Sequence, residues 1–217
     1  MPYPPTIASY DDLCAATADW LNRQDLINQI PAFITLTTAQ FNRELRLRDM
    51  LVPADTTSNL ELVALPSDWL ETYSLVIQPG APPNPQNFQP AALRYMSEKE
   101  SNDIKAQMYG SPGQPYGYTL IGSVIELVPA PSDNVNLRMV YYARIPDLVT
   151  GSGNCLLSKS PDLYLYGTCL QAAPYLKDDD RLQTWGNLRT GLIEMMRLES
   201  ERAMRPTSGV TARAKAF

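Results

Sequence analysis

Three consecutive aspartates, Asp178, Asp179 and Asp180, could offer carboxylate oxygens to a hard cation such as Mg²⁺ or Ca²⁺. A calcium loop needs alternating ligands, a glycine at its bend and a closing glutamate, and KDDDRLQTW has none of that order. The same acids suit the positive end of a helix dipole, with Asp178 or Asp179 capping a helix that follows. Two carboxylate pairs, Asp68 with Glu71 and Glu98 with Glu100, have the residue types of acid-base catalysis, but nothing in the spacing sets either pair across a cleft. Gly151-Ser152-Gly153 lacks the third glycine, the helix and the acidic residue of a dinucleotide site, and it reads as a turn. The run MYGSPGQPYGY carries Tyr109, Tyr116 and Tyr118, which could stack on bases or sugars; aromatic residues beside glycine and proline also fix loops against sheets.

The chain has no histidine, so the usual general base, the commonest metal ligand and the Ser-His or Cys-His pair are all missing. Its three cysteines, Cys14, Cys155 and Cys169, are far apart and form no CxxC, which suggests neither a zinc site nor a disulfide framework. A protein without catalytic residues, metal or cofactor is therefore expected. With 18 basic against 23 acidic residues, the net charge of -5 disfavours a dedicated nucleic-acid binder, although such a surface would let DNA pass without sticking. At 217 residues the chain can bury a substantial core unaided. No apolar run approaches the roughly 20 residues of a membrane span, and the N-terminus lacks the pattern of a signal peptide, so synthesis in a cytoplasm is expected.

The elements that must position these residues fall into three blocks. Ser9 and Asp12 form a capping pair ahead of a helix to about Arg23, with Leu13, Ala16, Trp20 and Leu21 on one face. A second helix is expected to start near Pro31 and to carry Ile34, Phe41 and Leu45 before a basic end at Arg43, Arg46 and Arg48. From about residue 50 the texture changes to short β-branched runs: 60–65, 73–78, 92–96, 118–122, 123–129 and 135–145, with a hairpin turn at Gly122-Ser123. The proline-rich stretch 79–90 interrupts these strands as a loop, and Ser97 with Glu100 caps a short surface helix. Helix returns in DLYLYGTCLQAAPYL, where Leu165, Cys169, Ala172 and Leu176 form one apolar stripe beside a second, and Pro174 must kink or end it. A last helix carries Leu182, Trp185, Leu188, Leu192 and Met195 to about Met204.

The expected fold class is α+β: a discontinuous helical bundle from the N- and C-terminal helices (9–50 plus 160–205), with an inserted, sandwich-like antiparallel β domain (51–159). The segment 206–217, PTSGVTARAKAF, has Arg213 and Lys215 and no acid, so alone it is expected to be a flexible arm.

ADWLNRQDLINQIPAFITLTTAQFNRELRLRDM, LPSDWLE, YYARIPDL and SPDLYLYGTCLQAAPYLKDDDRLQTW, taken in that order, resemble the head-to-tail (portal) adaptor or neck proteins of podovirus-like tailed bacteriophages. The resemblance implies a structural virion protein without catalytic activity, a homo-oligomer forming a dodecameric ring that joins the portal protein to a tail or nozzle protein. Such a ring lines the channel for passing DNA during genome ejection, with no sequence-specific binding and no membrane. It further implies a C-terminal portal-docking arm, here Arg205, Arg213, Lys215 and Phe217. Subunit contacts are then expected at Tyr164, Leu165, Cys169, Ala172 and Leu176, whose helix is apolar over more than half its circumference, and at Arg43, Arg46 and Arg48. The competing expectation is a carbohydrate-binding tail or host-side module that uses the β domain and its tyrosine-rich loops.

Overall fold

A computed structural model describes residues 6–79, 89–149, 153–176 and 180–205. The chain forms two compact units, one from residues 1–49 and 145–217 and the other from residues 50–144. The expected division therefore needs one correction: residues 145–159 belong to the helical unit, because Asn154 caps a short helix there and its side chain bonds into the helical core.

In the helical unit, α1 (Tyr10–Leu21) begins with the expected capping box, in which Ser9 Oγ accepts from the Asp12 amide at 3.2 Å and Asp12 Oδ2 accepts from the Ser9 amide at 3.0 Å. The Ser9 hydroxyl holds the Asp12 carboxyl below its ordinary value. Asn22 closes α1 in the left-handed region, at φ 52°. Helix α2 (Ile30–Glu44) has Pro31 in its first turn and buries Phe33, Ile34, Thr37, Thr38 and Phe41. Next come α4 (Cys155–Lys159), α5 (Pro161–Gln171) and the 24-residue α6 (Arg181–Met204), α3 (Glu98–Gln107) being the helix of the other unit. Pro174 ends α5 rather than kinking it, since the chain passes into a 3-10 turn at Ala173–Tyr175.

Helix α5 is the centre of this unit. Leu163, Tyr164 and Cys169 have no exposure, and α1, α2, α4 and α6 all pack against it. The approach of α5 to α2 depends on Gly167. A Cβ built there would lie 2.6 Å from Thr37 Cγ2 and 3.2 Å from Phe41 Cζ, closer than packed carbons tolerate. Phe41 in turn meets the Tyr164 ring edge-on at 5.1 Å.

The other unit is a sandwich of two four-stranded sheets with a helix on one sheet. One sheet has the order β1 (Leu51–Ser58), β8 (Val135–Ala143), β3 (Trp69–Gln78), β4 (Ala91–Ala92). The other has the order β2 (Leu62–Ala64), β7 (Val124–Val128), β6 (Gly117–Ile121), β5 (Arg94–Tyr95). Leu75, Ile77, Leu137 and Met139 of the first sheet share one core with Tyr118, Ile125 and Leu127 of the second. Strand β1 was not among the expected strands, since LVPADTTS has a proline and little alternation; it is an edge strand, where Pro53 is tolerated. The pairing of β5 with β6 is parallel, so the second sheet is mixed. The β6–β7 hairpin turns at Gly122-Ser123 as expected, with Gly122 at φ 59°, the value a two-residue loop of this kind requires at its first position.

Helix α3 (Glu98–Gln107) lies on β6 and β7. Ser97 Oγ accepts from the Glu100 amide, but the Glu100 carboxylate turns to Arg94, so only half of the expected capping box forms. Residues 80–88, most of the proline-rich loop, lie outside the described residues.

Two outcomes follow. Gly167→Ala gains up to about 1 kcal/mol of helix propensity yet is expected to lose about 1–3 kcal/mol by overpacking, giving a lower midpoint in urea denaturation; an unchanged or raised midpoint contradicts the close approach. Burial pushes the Cys169 thiol up to about 12, so at pH 8 a thiol reagent is expected to label exposed Cys155 in the native protein and Cys169 only after denaturant is added.

Candidate functional site

Several of the residues with chemical potential take structural roles. Among the described residues no group of three or more His, Cys, Asp or Glu could hold a metal ion. Asp178 and Asp179 lie outside the described residues, and the N-cap position of α6 falls on Asp180. Asp180 already has helical angles, φ -57° and ψ -22°, and its side chain makes no capping bond, because a cap must sit in the extended region to fold its oxygen back. Asp68 accepts from the Tyr141 hydroxyl at 3.0 Å, while its backbone oxygen accepts from the Arg144 amide at 2.6 Å. Glu100 pairs with Arg94, and Glu98 opens α3. Gly151 and Ser152 lie outside the described residues. The three tyrosines do not form one platform: Tyr109 is 96% exposed, whereas Tyr118 is buried in the sandwich core against Tyr95.

One ionic cluster in the β unit was not anticipated. Lys105 of α3 pairs with Glu126 on β7 at 2.6 Å and also with Glu61, and Ser101 Oγ donates to Glu126 at 3.1 Å. Burial works against the Lys105 charge, but hydrogen bonds to the two glutamates outweigh it and hold the ammonium above its ordinary value. This arrangement fastens α3 to the sheet. It was invisible in the sequence because its members are separated by 44 and 21 positions.

Four of the residues expected at subunit contacts face inward. Tyr164, Leu165, Cys169 and Ala172 are all 4% exposed or less within their own unit. The Tyr164 hydroxyl accepts from Asn154 Nδ2 at 2.8 Å and lies 3.4 Å from Thr38 Oγ1. Since Thr38 Oγ1 already donates to the Ile34 carbonyl, Tyr164 is the donor in that second contact. Desolvation holds the Tyr164 phenol above its usual value despite both bonds. Leu176 is half-buried. At Tyr164, Leu165, Cys169 and Ala172 the apolar circumference of α5 is covered by its own chain. Arg46 is also used internally, donating to the carbonyls of Asn42 and Leu45 at the end of α2. Arg43 and Arg48 are exposed. Arg205 is exposed 3.9 Å from Glu201, and Arg213, Lys215 and Phe217 lie outside the described residues.

On the helical unit, exposed apolar side chains lie on other helix faces. Helix α6 buries Trp185, Ile193, Met196 and Ser200 on one face. A second stripe points outward, where Leu188 is 45%, Met195 54% and Leu198 52% exposed. Helix α2 has its own outer face, on which Leu36 is 52% exposed between the smaller Ala32 and Ala39. The signal was present in the sequence, since Leu188 and Met195 stand seven residues apart, but grouping them with Leu182, Trp185 and Leu192 makes all of them look like one stripe. A cavity of about 200 Å³ opens where Leu47 and Arg48 meet Met196 and Ala203 of α6. No helix among the described residues is long and apolar enough to cross a membrane.

Apolar side chains thus stand exposed on the outer faces of α2 and α6, while the Lys105 cluster uses its two glutamates to fasten α3 to the sheet. No curated protein matches the sequence. A family model described as SU10 adaptor protein matches residues 8–212, taking in both halves of the helical unit and the whole β unit. The chain belongs to the SU10 adaptor protein family, a family of phage adaptors.

Proposed function

We propose that the protein is the ring-forming head-to-tail adaptor of a podovirus-like phage, joining the portal to the tail and lining part of the channel through which DNA leaves. Family membership over residues 8–212 is the observation that carries this reading. The outward apolar faces of α2 and α6 support it, because a ring subunit must offer surface to neighbours after its own core is complete. The net charge of -5 supports a channel wall that does not retain DNA. In this reading the segment 206–217, with Arg213 and Lys215, contributes to attachment to the portal, where many simultaneous contacts around the ring add together.

Mixing the purified chain with its cognate portal is expected to give rings seated on the portal in electron micrographs. Bare portals, together with saturable binding to glycans, would replace the adaptor reading with that of a carbohydrate-binding module. Removing residues 206–217 is expected to leave the melting curve of the chain unchanged and to weaken portal attachment about tenfold or more. Undiminished attachment of the truncated chain removes the proposed role of the arm.

A further inference from the structure

Gly191 sits in the middle of the 24-residue α6, where a glycine costs about 1 kcal/mol relative to alanine. Among the described residues nothing packs into the space it leaves. A Cβ built at Gly191 has no atom within 4 Å, in contrast to Gly167, where the neighbouring helix leaves no room. Gly191 also lies between Leu188 and Met195 on the outward stripe, so the exposed helix face has a large side chain, a gap and a large side chain, at steps of three and four residues.

The outer face of α2 has the inverse relief. Ala32, Leu36 and Ala39 give a small, a large and a small side chain at steps of four and three. Laid antiparallel, the steps agree: Leu188 falls opposite Ala39, Gly191 opposite Leu36, and Met195 opposite Ala32. Each large side chain then meets a small one over about 10 Å of helix. In the parallel sense the steps run three-four against four-three, and Leu36 misses the gap. Beyond this window the α6 stripe continues to Leu198, and the chain before α2 continues to Ile27, which is 54% exposed, so the apolar order extends in the same direction.

From this match we infer that the outward face of α6 docks antiparallel on the outward face of α2 in the next copy of the chain, with Leu36 filling the gap at Gly191. The inference rests on the ring reading and deepens it. Both halves of the contact lie on different helices of the same unit, which is what a head-to-tail contact requires if it is to repeat from copy to copy. A two-fold contact would instead need one face to match itself, and the α6 stripe, with large residues on both sides of its gap, does not.

Cross-linking on portal-templated rings tests the register. In a Cys155→Ser background, equal amounts of a Leu36→Cys chain and a Gly191→Cys chain are expected to give a disulfide-linked pair on mild oxidation, while either chain alone gives none. A pair from one variant alone would mean a two-fold contact and overturn the inference. Substitution by alanine supplies a second, oppositely signed readout. Gly191→Ala is expected to raise the melting temperature of the free chain by about 2–4 °C while cutting ring assembly on the portal about tenfold. Gly186→Ala, whose added Cβ is equally unobstructed, is expected to raise the melting temperature and assemble normally. If the unaltered chain forms no ring, the adaptor reading itself fails. If it forms rings while Gly191→Ala assembles normally and residues 36 and 191 do not cross-link, the ring stands and the assignment of its contact faces falls.

Discussion

A helix that is apolar around its circumference has to be wrapped, and α5 is wrapped by both ends of one chain. Its neighbours α1 and α2 come from the first 49 residues, and α4 and α6 from the last 73, so the helical unit cannot close until the segments on either side of residues 50–144 have met. The polar atoms inside make that meeting specific. The Tyr164 hydroxyl is held by Thr38 from one end of the chain and Asn154 from the other, and Asn42 exchanges two bonds with the backbone of Ile145 at 2.8 and 3.1 Å. Buried groups of this kind cost more when left unpaired than they contribute when paired, so they penalise misaligned packings more than they strengthen the right one. Further along, the Arg48 amide donates to Ser200 Oγ and Arg189 stacks over Phe41 while pairing with Glu44, and these fix α6 along α2.

The inserted unit has a different economy. Its strands all lie within residues 50–144, even where β1 pairs with β8 from one end of that stretch to the other, Leu51 with Tyr142; its sandwich core is continuous, and its one helix is fastened by the Lys105 cluster rather than by apolar area, since α3 buries only Ser101 completely. It can therefore form from contacts within residues 50–144, whereas the helical unit must close a loop of that length at an entropic cost that grows only slowly with the number of residues enclosed. A long insertion in a helical bundle is tolerable on those terms.

Periodicity made the helices legible, and composition separated the helical from the β region, because both signals are local. Ser9 with Asp12, Pro31, Gly122 and Pro174 each marked an element boundary by backbone chemistry alone. What failed was anything that depends on who covers whom. The stripe Leu165–Cys169–Ala172 announced a helix needing several partners, but a sequence does not say whether a partner is the same chain or its neighbour; here it is the same chain. β1 was missed for the opposite reason, since an edge strand with only one paired side tolerates Pro53 and shows weak alternation. The Lys105 cluster joins residues from β7, α3 and the turn before β2, which no local pattern connects.

Charge plays a limited part in how such a chain meets its partners. The described surface pairs, among them Arg23 with Asp25, Arg138 with Asp55, and Lys159 with Asp49, are substantially exposed and screened by salt, and pairs of this kind typically contribute about 0–1 kcal/mol. Hydrogen bonds from Arg23 and Arg138 hold the carboxyls of Asp25 and Asp55 below their ordinary value, so these groups stay charged through any mild acidification. With no histidine in the chain, and with Cys14 and Cys169 pushed up by burial, the usual proton switch near neutral pH is missing. In the proposed ring, association would rest on shape and local concentration: matching relief on two helix faces would give each contact modest strength, and a template holding many copies at once would turn modest strength into a lasting assembly.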